Sequence, residues 1–343
     1  MAGARGRRLC FVGKCSSTIA PAMSAFNHAF LYAAAALVAA NAPAAPPSAQ
    51  PPVTHATREF SLTEADLIPE SIAYDAATAR WFISSVRQAR IMLRDGSTFA
   101  RAPWPVFALA IDAQRRLLWA SAGMVPQCAP CKDRRPERTA LFAFNLDTGA
   151  QLQRIESPVA GVLGDMLIAP GGDLYVSEGL HGAVLHLAQG AGAFERLDHP
   201  GGFSSPQTPA LSADGKTLFV PDYARGIAAL SLVDRQLQWL RPAAGIELRG
   251  IDGLYLYGNT FIAIQNGTRP ERIISISADL QRFSVLEANW PGLGEPTHGA
   301  LVNGRFYFLA NAGWDAFNDQ GAKQPGVRPV ISAIWSLPLT GPP

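Results

Sequence analysis

The chain has 343 residues, 48% of them hydrophobic, which is ample for a large buried core and leaves one large all-β domain as plausible as two average ones. Its 29 basic and 27 acidic side chains nearly cancel to a net charge of +2, so no charge excess argues for nucleic acid. Thirty-one glycines and 27 prolines favour many turns over long helices.

The first segment is read as a leader. Arg5, Arg7, Arg8 and Lys14 give a basic start, and Ala29 to Ala40 (AFLYAAAALVAA) is an apolar run of signal-peptide length. That run is too short to span a membrane. Small residues at Ala40, Ala42, Ala44 and Ala45 suit signal peptidase, and PPSAQPPV follows as a Pro-rich linker. Residues 1–45 are therefore expected to be a signal peptide and Ala-rich segment, 46–58 a linker, and 59–343 the folded domain. The protein is expected to be exported, periplasmic or extracellular, with no stable membrane span once the signal is cleaved. An uncleaved anchor and a start at Met23 are the alternatives. Cys128 and Cys131, in PQCAPCKD, lie among Pro126, Pro130 and Pro136. That context favours a loop-pinning disulfide over a zinc or thioredoxin-like site.

After residue 60 one pattern recurs: a polar residue, an apolar run, a turn, then a second hydrophobic strand. PESIAYDAATARWFISS starts at Pro69, VFALAIDAQRRLLWASA at Val106 and GDMLIAPGGDLYVSE at Gly164. PQTPALSADGKTLFVPD starts at Pro206, IDGLYLYGNTFIAIQN at Ile251 and PTHGALVNGRFYFLAN at Pro296. Each copy reads as a hairpin, and most are followed by a further strand pair, for example ALFAFNLDTGAQLQRI and IISISADLQRFSVL. Six units of four strands, 37 to 58 residues apart, predict an all-β, six-bladed β-propeller of four-stranded antiparallel blades. The second strands are continuously hydrophobic (Trp81-Phe82-Ile83, Leu218-Phe219-Val220), as strands buried on both faces are. They are assigned to the core. ATREFSLTEAD is expected to pair beside VISAIWSLPL and close the ring with both chain ends.

The innermost strand of each blade lines the channel, and its start lies at one mouth. The second positions of the copies are Glu70, Phe107, Asp165, Gln207, Asp252 and Thr297, with His298 next. Three carboxylates and an amide aimed at one axis call for a cation. An all-oxygen set of Glu70, Asp165, Gln207 and Asp252 suits Ca²⁺ first, then Mg²⁺ or Mn²⁺, with Zn²⁺ a further possibility. Taken singly, each acid is more often a turn or cap residue; the recurrence carries the case. Asp75, Asp112 and Asp214 recur within the hairpin turns and are read as turn residues. His298 is read either as a general base or as a structural histidine, and Glu295 as lining the same mouth. Asn311, Trp314 and Asp315 are read as a structural loop away from the ring.

PESIAYD, LGDMLIAPGGDLYVSE, SSPQTPALSADGKTLFV and GIDGLYLYGNTFIAI resemble the gluconolactonase / senescence marker protein / luciferin-regenerating family, over about residues 60–340. The resemblance implies a divalent metal in the channel. Its ligands would be a first-blade Glu, matched by Glu70, a fourth-blade Asn, replaced by Gln207, and a fifth-blade Asp, matched by Asp252 and used also as acid/base. Asp165 stands for a third-blade Asn, and Leu163 for a substrate-binding Arg. Two functions follow as expectations. One is metal-dependent hydrolysis of a lactone or related ester, with Asp252 or His298 moving the proton. The other is a non-catalytic propeller that binds a small ligand or an exported protein. A redox role for the cysteine pair ranks third.

Overall fold

The computed structural model describes residues 51–132 and 135–339; the expected signal segment lies outside them. The order of strands follows the repeat. An opening strand β1 (Thr57–Ser61) is followed by blade 1, made of β2 (Ile72–Asp75), β3 (Arg80–Ser85), β4 (Arg90–Leu93) and β5 (Thr98–Arg101). Blade 2 is β6 (Val106–Asp112), β7 (Leu117–Gly123), β8 (Thr139–Asn145) and β9 (Gln151–Glu156). Blade 3 is β10 (Leu163–Ile168), β11 (Leu174–Glu178), β12 (Ala183–Leu187) and β13 (Glu195–Arg196). Blade 4 is β14 (Ala210–Leu211), β15 (Thr217–Asp222), β16 (Gly226–Ser231) and β17 (Leu237–Trp239). Blade 5 is β18 (Ile251–Tyr257), β19 (Thr260–Gln265), β20 (Arg272–Ser277) and β21 (Phe283–Ala288). Blade 6 is β22 (Gly299–Val302), β23 (Arg305–Ala310) and β24 (Ala333–Pro338), with β1 as its outer strand.

Every sheet is four-stranded and antiparallel, five of them simple meanders and the sixth completed by β1, and the six-bladed propeller expected from the repeat is observed. β1 pairs with β24 (Thr57 opposite Ser336, Ser61 opposite Ala333), so strands from the two ends of the described chain share one blade. The latch extends further. Val53 bridges Ala288 of blade 5, and the Glu287 carboxylate accepts the backbone N–H groups of His55 and Ala56. No helix among the described residues is long and apolar enough to cross a membrane.

The core is divided by the clefts between blades. Phe82 packs toward blade 2, against Leu118, Phe142 and Trp104. Its neighbours Trp81 and Ile83 point to the other face, against Leu309 and Ile334 of blade 6. Alternate residues of one strand thus serve two cores. This is why the second strands are hydrophobic at every position. Comparable clusters fill the other clefts, and one more, with Ile68, Phe107, Val162, Trp314 and Phe317, sits over the end of the channel where the innermost strands begin.

The second strand of most blades ends in a buried polar residue that fastens the chain entering the innermost strand. Ser85 Oγ donates to Leu67 O, and Glu178 accepts from the backbone N–H groups of Val162, Leu180 and His181. Asp222 accepts from Ser204 and Ser205, and Gln265 Nε2 donates to the carbonyls of Glu247 and Arg249. These bonds satisfy loop backbone groups that no ladder reaches and fix the starts of β10, β14 and β18. Asp75, Asp112 and Asp214 hold their turns as expected, accepting from the N–H groups of Ala77, Arg115 and Lys216.

Candidate metal centre

The ring residues converge as expected, but not from one register: Asp165 pairs opposite Ser177, one position further along its strand than Asp252, whose place is held in blade 3 by Gly164. Glu70, Phe107, Asp165, Gln207, Asp252, Thr297 and His298 line one enclosed cavity, joined by Tyr223, Asn266, Glu295 and Trp314. Its volume is about 30 Å³, room for an ion or two waters.

Bulges aim the side chains. In blade 5, Ile251 pairs with Gln265 and Gly253 with Ile264, so Asp252 is the extra residue. In blade 3, Gly164 is extra between the pairs Leu163–Glu178 and Asp165–Ser177. Blade 2 shifts register between Val106 and Leu109. A bulge breaks the ladder and re-aims one side chain. The serines of the second strands repair the break: Ser121 Oγ accepts from Ala108 N at 2.9 Å, and Ser84 Oγ from Ser71 N at 2.8 Å.

At the centre, His298 is held at both ring nitrogens. Nδ1 lies 2.7 Å from the Glu70 carbonyl oxygen and 3.3 Å from its carboxylate, while Nε2 contacts Asp165 Oδ1. Thr208 Oγ1 donates to the same Asp165 oxygen at 2.5 Å. Asn266 Nδ2 donates to Asp252 Oδ2 at 2.7 Å and to Pro296 O at 3.0 Å, and Tyr223 Oη donates to Asn266 Oδ1 at 3.0 Å. Gln207 turns its amide nitrogen to Ser205, donating to its hydroxyl at 2.9 Å.

Glu70, Asp252 and His298 each offer a ligand atom, and these atoms lie within 4.8 Å of one another, so this buried group could hold a metal ion. This group differs from the all-oxygen set read from the repeat in containing an imidazole; Asp165 Oδ1 is engaged with His298 and Thr208.

The electrostatics fit a site that requires a cation. Removal from water pushes the Asp252 carboxyl up to about 7, with the Glu70 and Asp165 charges adding to it and His298 and Asn266 opposing. Burial alone would lower the His298 pKa, but the attraction and hydrogen bond of Asp165, then Asp252 and Glu70, raise it well above the ordinary value. Glu295 is also pushed well up, by burial first and then by Asp315, Glu70 and Glu271. No Lys or Arg lines the cavity, so beyond the His298 imidazole its carboxylates are balanced only by further protons or by an added cation.

One expectation is corrected. Trp314, read as part of a loop away from the ring, reaches it: its indole N–H donates to Glu70 Oε1, and its backbone N–H donates to Glu295 Oε2 at 2.9 Å. The connection from β23 to β24 folds back over the mouth, which no local pattern in GWDAF announces. Asn311 keeps its structural reading, tying the same connection through Ile331 O. Tyr223 and Asn266 were also missed. Both directly follow the last residue of a second strand, at a column held elsewhere by Val86, Gly123, Gly179 and Asn311. A polar or aromatic residue in that column was a partial signal, since Asn311 shares it without lining the cavity. Cys128 and Cys131 form the local disulfide expected, with Cα atoms 5.7 Å apart.

No family model and no curated protein matches the chain. Solved propellers do. The PQQ-bound aldose sugar dehydrogenase from Streptomyces coelicolor superposes with a TM-score of 0.55 at 14% identity, over 82% of this chain and 98% of that one. An oxidoreductase (glucose dehydrogenase) from Thermus thermophilus gives 0.52 at 17% identity, over 81% and 99%. At these identities the likeness establishes the six-bladed propeller, and not membership of the gluconolactonase-like family.

Proposed function

We propose that the protein is an exported, metal-dependent hydrolase of a lactone or related ester, of gluconolactonase-like type. The observation that carries the reading is the grouping of Glu70, Asp252 and His298 within 4.8 Å at the start of the channel strands. Two carboxylates and an imidazole fit a divalent ion. The imidazole moves the preference from Ca²⁺ toward Mn²⁺ or Zn²⁺, with Asp165 orienting His298 and Gln207 standing beside the set. Such an ion supplies positive charge that polarises an ester carbonyl and acidifies water. The protein's own groups do the rest. Asn266 holds Asp252 where it can accept a proton from water and return it to the leaving oxygen. The Trp314 indole keeps Glu70 from turning away.

A quinone-dependent sugar oxidation, suggested by the PQQ-bound neighbour, is disfavoured by the residues present. An acidic lining without Lys or Arg repels that cofactor's carboxylates. The cavity volume of about 30 Å³, which places any organic substrate outside it, favours the second reading, a non-catalytic propeller whose ion is structural and whose ligand or protein partner docks outside. The two part on one experiment: hydrolysis of a panel of lactones and aryl esters by metal-loaded protein, with Asp252→Asn as control. Turnover lost in the variant supports the enzyme. Metal binding without turnover on any member supports the binding propeller.

A further inference from the structure

The channel is not the roomiest cavity. A second one, about 580 Å³, opens beside blade 1 at a seam of three segments: the chain entering β2, the disulfide loop after β7, and the connection from β23 to β24. Asp66, Arg87, Arg101, Pro130, Phe317 and Lys323 stand in its wall. The seam is fastened. Arg87 Nη1 donates to Gln127 O at 2.6 Å and Gly321 O at 3.3 Å, and the guanidinium lies 4.7 Å over the Phe317 ring. Gln127 Nε2 donates to Asn318 O at 3.1 Å, and Lys323 Nζ reaches Asp66 at 2.5 Å. The Cys128–Cys131 disulfide braces the same loop.

The charge there is opposite to that of the channel. Three basic side chains face one acid, Asp66, which Lys323 already neutralises. Arg87 spends its hydrogen bonds on neutral carbonyls. Arg101, exposed at the end of β5, pairs with no carboxylate among the described residues. Two guanidinium charges are thus left facing a cavity whose remaining wall, Gln88 apart, is apolar: Ala65, Ala129, Pro130 and Phe317.

We propose that this pocket binds a small organic acid. The carboxylate meets Arg101, whose planar fork matches two oxygens at once, in the field of Arg87. The body of the acid lies against Phe317 and Pro130. The volume falls in the range of small-molecule sites and is much larger than an inorganic ion needs, which is why an organic body belongs to the proposal. The site does not depend on hydrolysis in the channel, although a hydroxy acid released there would belong to the class it accepts.

Calorimetric titration of the purified protein at low salt, with benzoate, gluconate and inorganic phosphate as separate probes, tests it. Saturable 1:1 binding of at least one organic acid is expected, weakened tenfold or more by Arg101→Ala and lost in Arg101→Glu. Arg101 is exposed, so both variants should melt as the wild type does, and Glu70→Ala should bind the acid unchanged. The proposal is overturned if neither acid saturates the wild type, or if Arg101→Glu binds as well as wild type. It is equally overturned if phosphate binds as tightly as the acids, or if Glu70→Ala abolishes binding, which would move the acid to the channel.

Discussion

Asp75 and Asp252 sit at opposite ends of innermost strands, one closing β2 and the other opening β18, and their carboxyl groups are driven in opposite directions. Asp75 accepts from both Arg116 Nη groups at 2.9 and 2.8 Å and from Thr78 Oγ1 at 2.6 Å. The Arg116 hydrogen bonds hold its pKa at about 2 against the pull of burial. Asp252 is pushed up to about 7 by burial first, with the Glu70 and Asp165 charges adding to it, and the His298 imidazole and the Asn266 amide oppose the rise only in part. A buried acid supplied with its own cation is a structural device. A buried acid among other acids is stable only with a proton or an ion from outside.

The largest expected effect tests the second half of that contrast. Divalent metal should raise the melting temperature of the wild-type protein; at one hundred times Kd the stabilisation is about 2.7 kcal/mol. Glu70→Ala and Asp252→Ala should each weaken binding by roughly 100-fold or more, at or above the top of the range found for residues that merely orient ligands. Both variants should keep the far-ultraviolet spectrum of the folded propeller. Metal-induced shifts that survive both substitutions would show that the acids are balanced some other way, and the contrast with Asp75 would fail.

The first half is tested by acid. Because the folded-state pKa of Asp75 lies below its unfolded value, its pairing stabilises the fold above about pH 4 and is lost as pH falls toward about 2. Melting temperature measured from pH 6 to pH 2 should decline across that window. Arg116→Met should lower the melting temperature at neutral pH and flatten the decline, since the lone Asp75 would no longer have its pKa held down. An unchanged slope would mean that Asp75 is balanced without Arg116.

How much of this was legible follows from what a repeat can carry. Trp81-Phe82-Ile83 faces two cores, and that requirement is written directly into hydrophobicity, so the blades could be read. Glu70 and Asp252 hold equivalent places at the starts of their strands, so their convergence could be read as well, whereas Asp165, paired opposite Ser177, lies one position further on than Asp252, whose place in blade 3 is taken by Gly164. What the register does not record is rotation about the strand. The bulges at Gly164 and Asp252 decide which oxygen faces which neighbour, and they turn Asp165 to His298. Nor does it record long returns of the chain. Trp314 meets Glu70 across 244 residues, through a connection whose course is set by contacts with the disulfide loop rather than by its own pattern.

An intermediate effect is expected at Asn266, which touches Asp252 and the Pro296 carbonyl. Asn266→Ala frees the Asp252 carboxylate to rotate and should weaken metal binding about 10- to 100-fold, with the fold preserved. Titration calorimetry with Mn²⁺ or Zn²⁺ reads it, and an affinity equal to wild type would show that the bulge alone orients Asp252.

The smallest effect belongs one bond further out. Tyr223 donates to Asn266 Oδ1 and so fixes which end of the amide faces Asp252. Low-dielectric surroundings, with the Asp252 and Glu295 charges adding, push the phenol pKa far up, so it remains a donor throughout the working range. Tyr223→Phe keeps the ring and removes only that donor. A hydrogen bond acting at one remove contributes about 0.6 kcal/mol, a threefold change in affinity. A loss as large as that of Asn266→Ala would mean the amide flips once the phenol is gone, turning its oxygen toward the carboxylate. Three groups, Tyr223, Asn266 and Asp252, would then act as one unit, and the channel would owe its preference for a cation to the orientation of a single amide as much as to its count of acids.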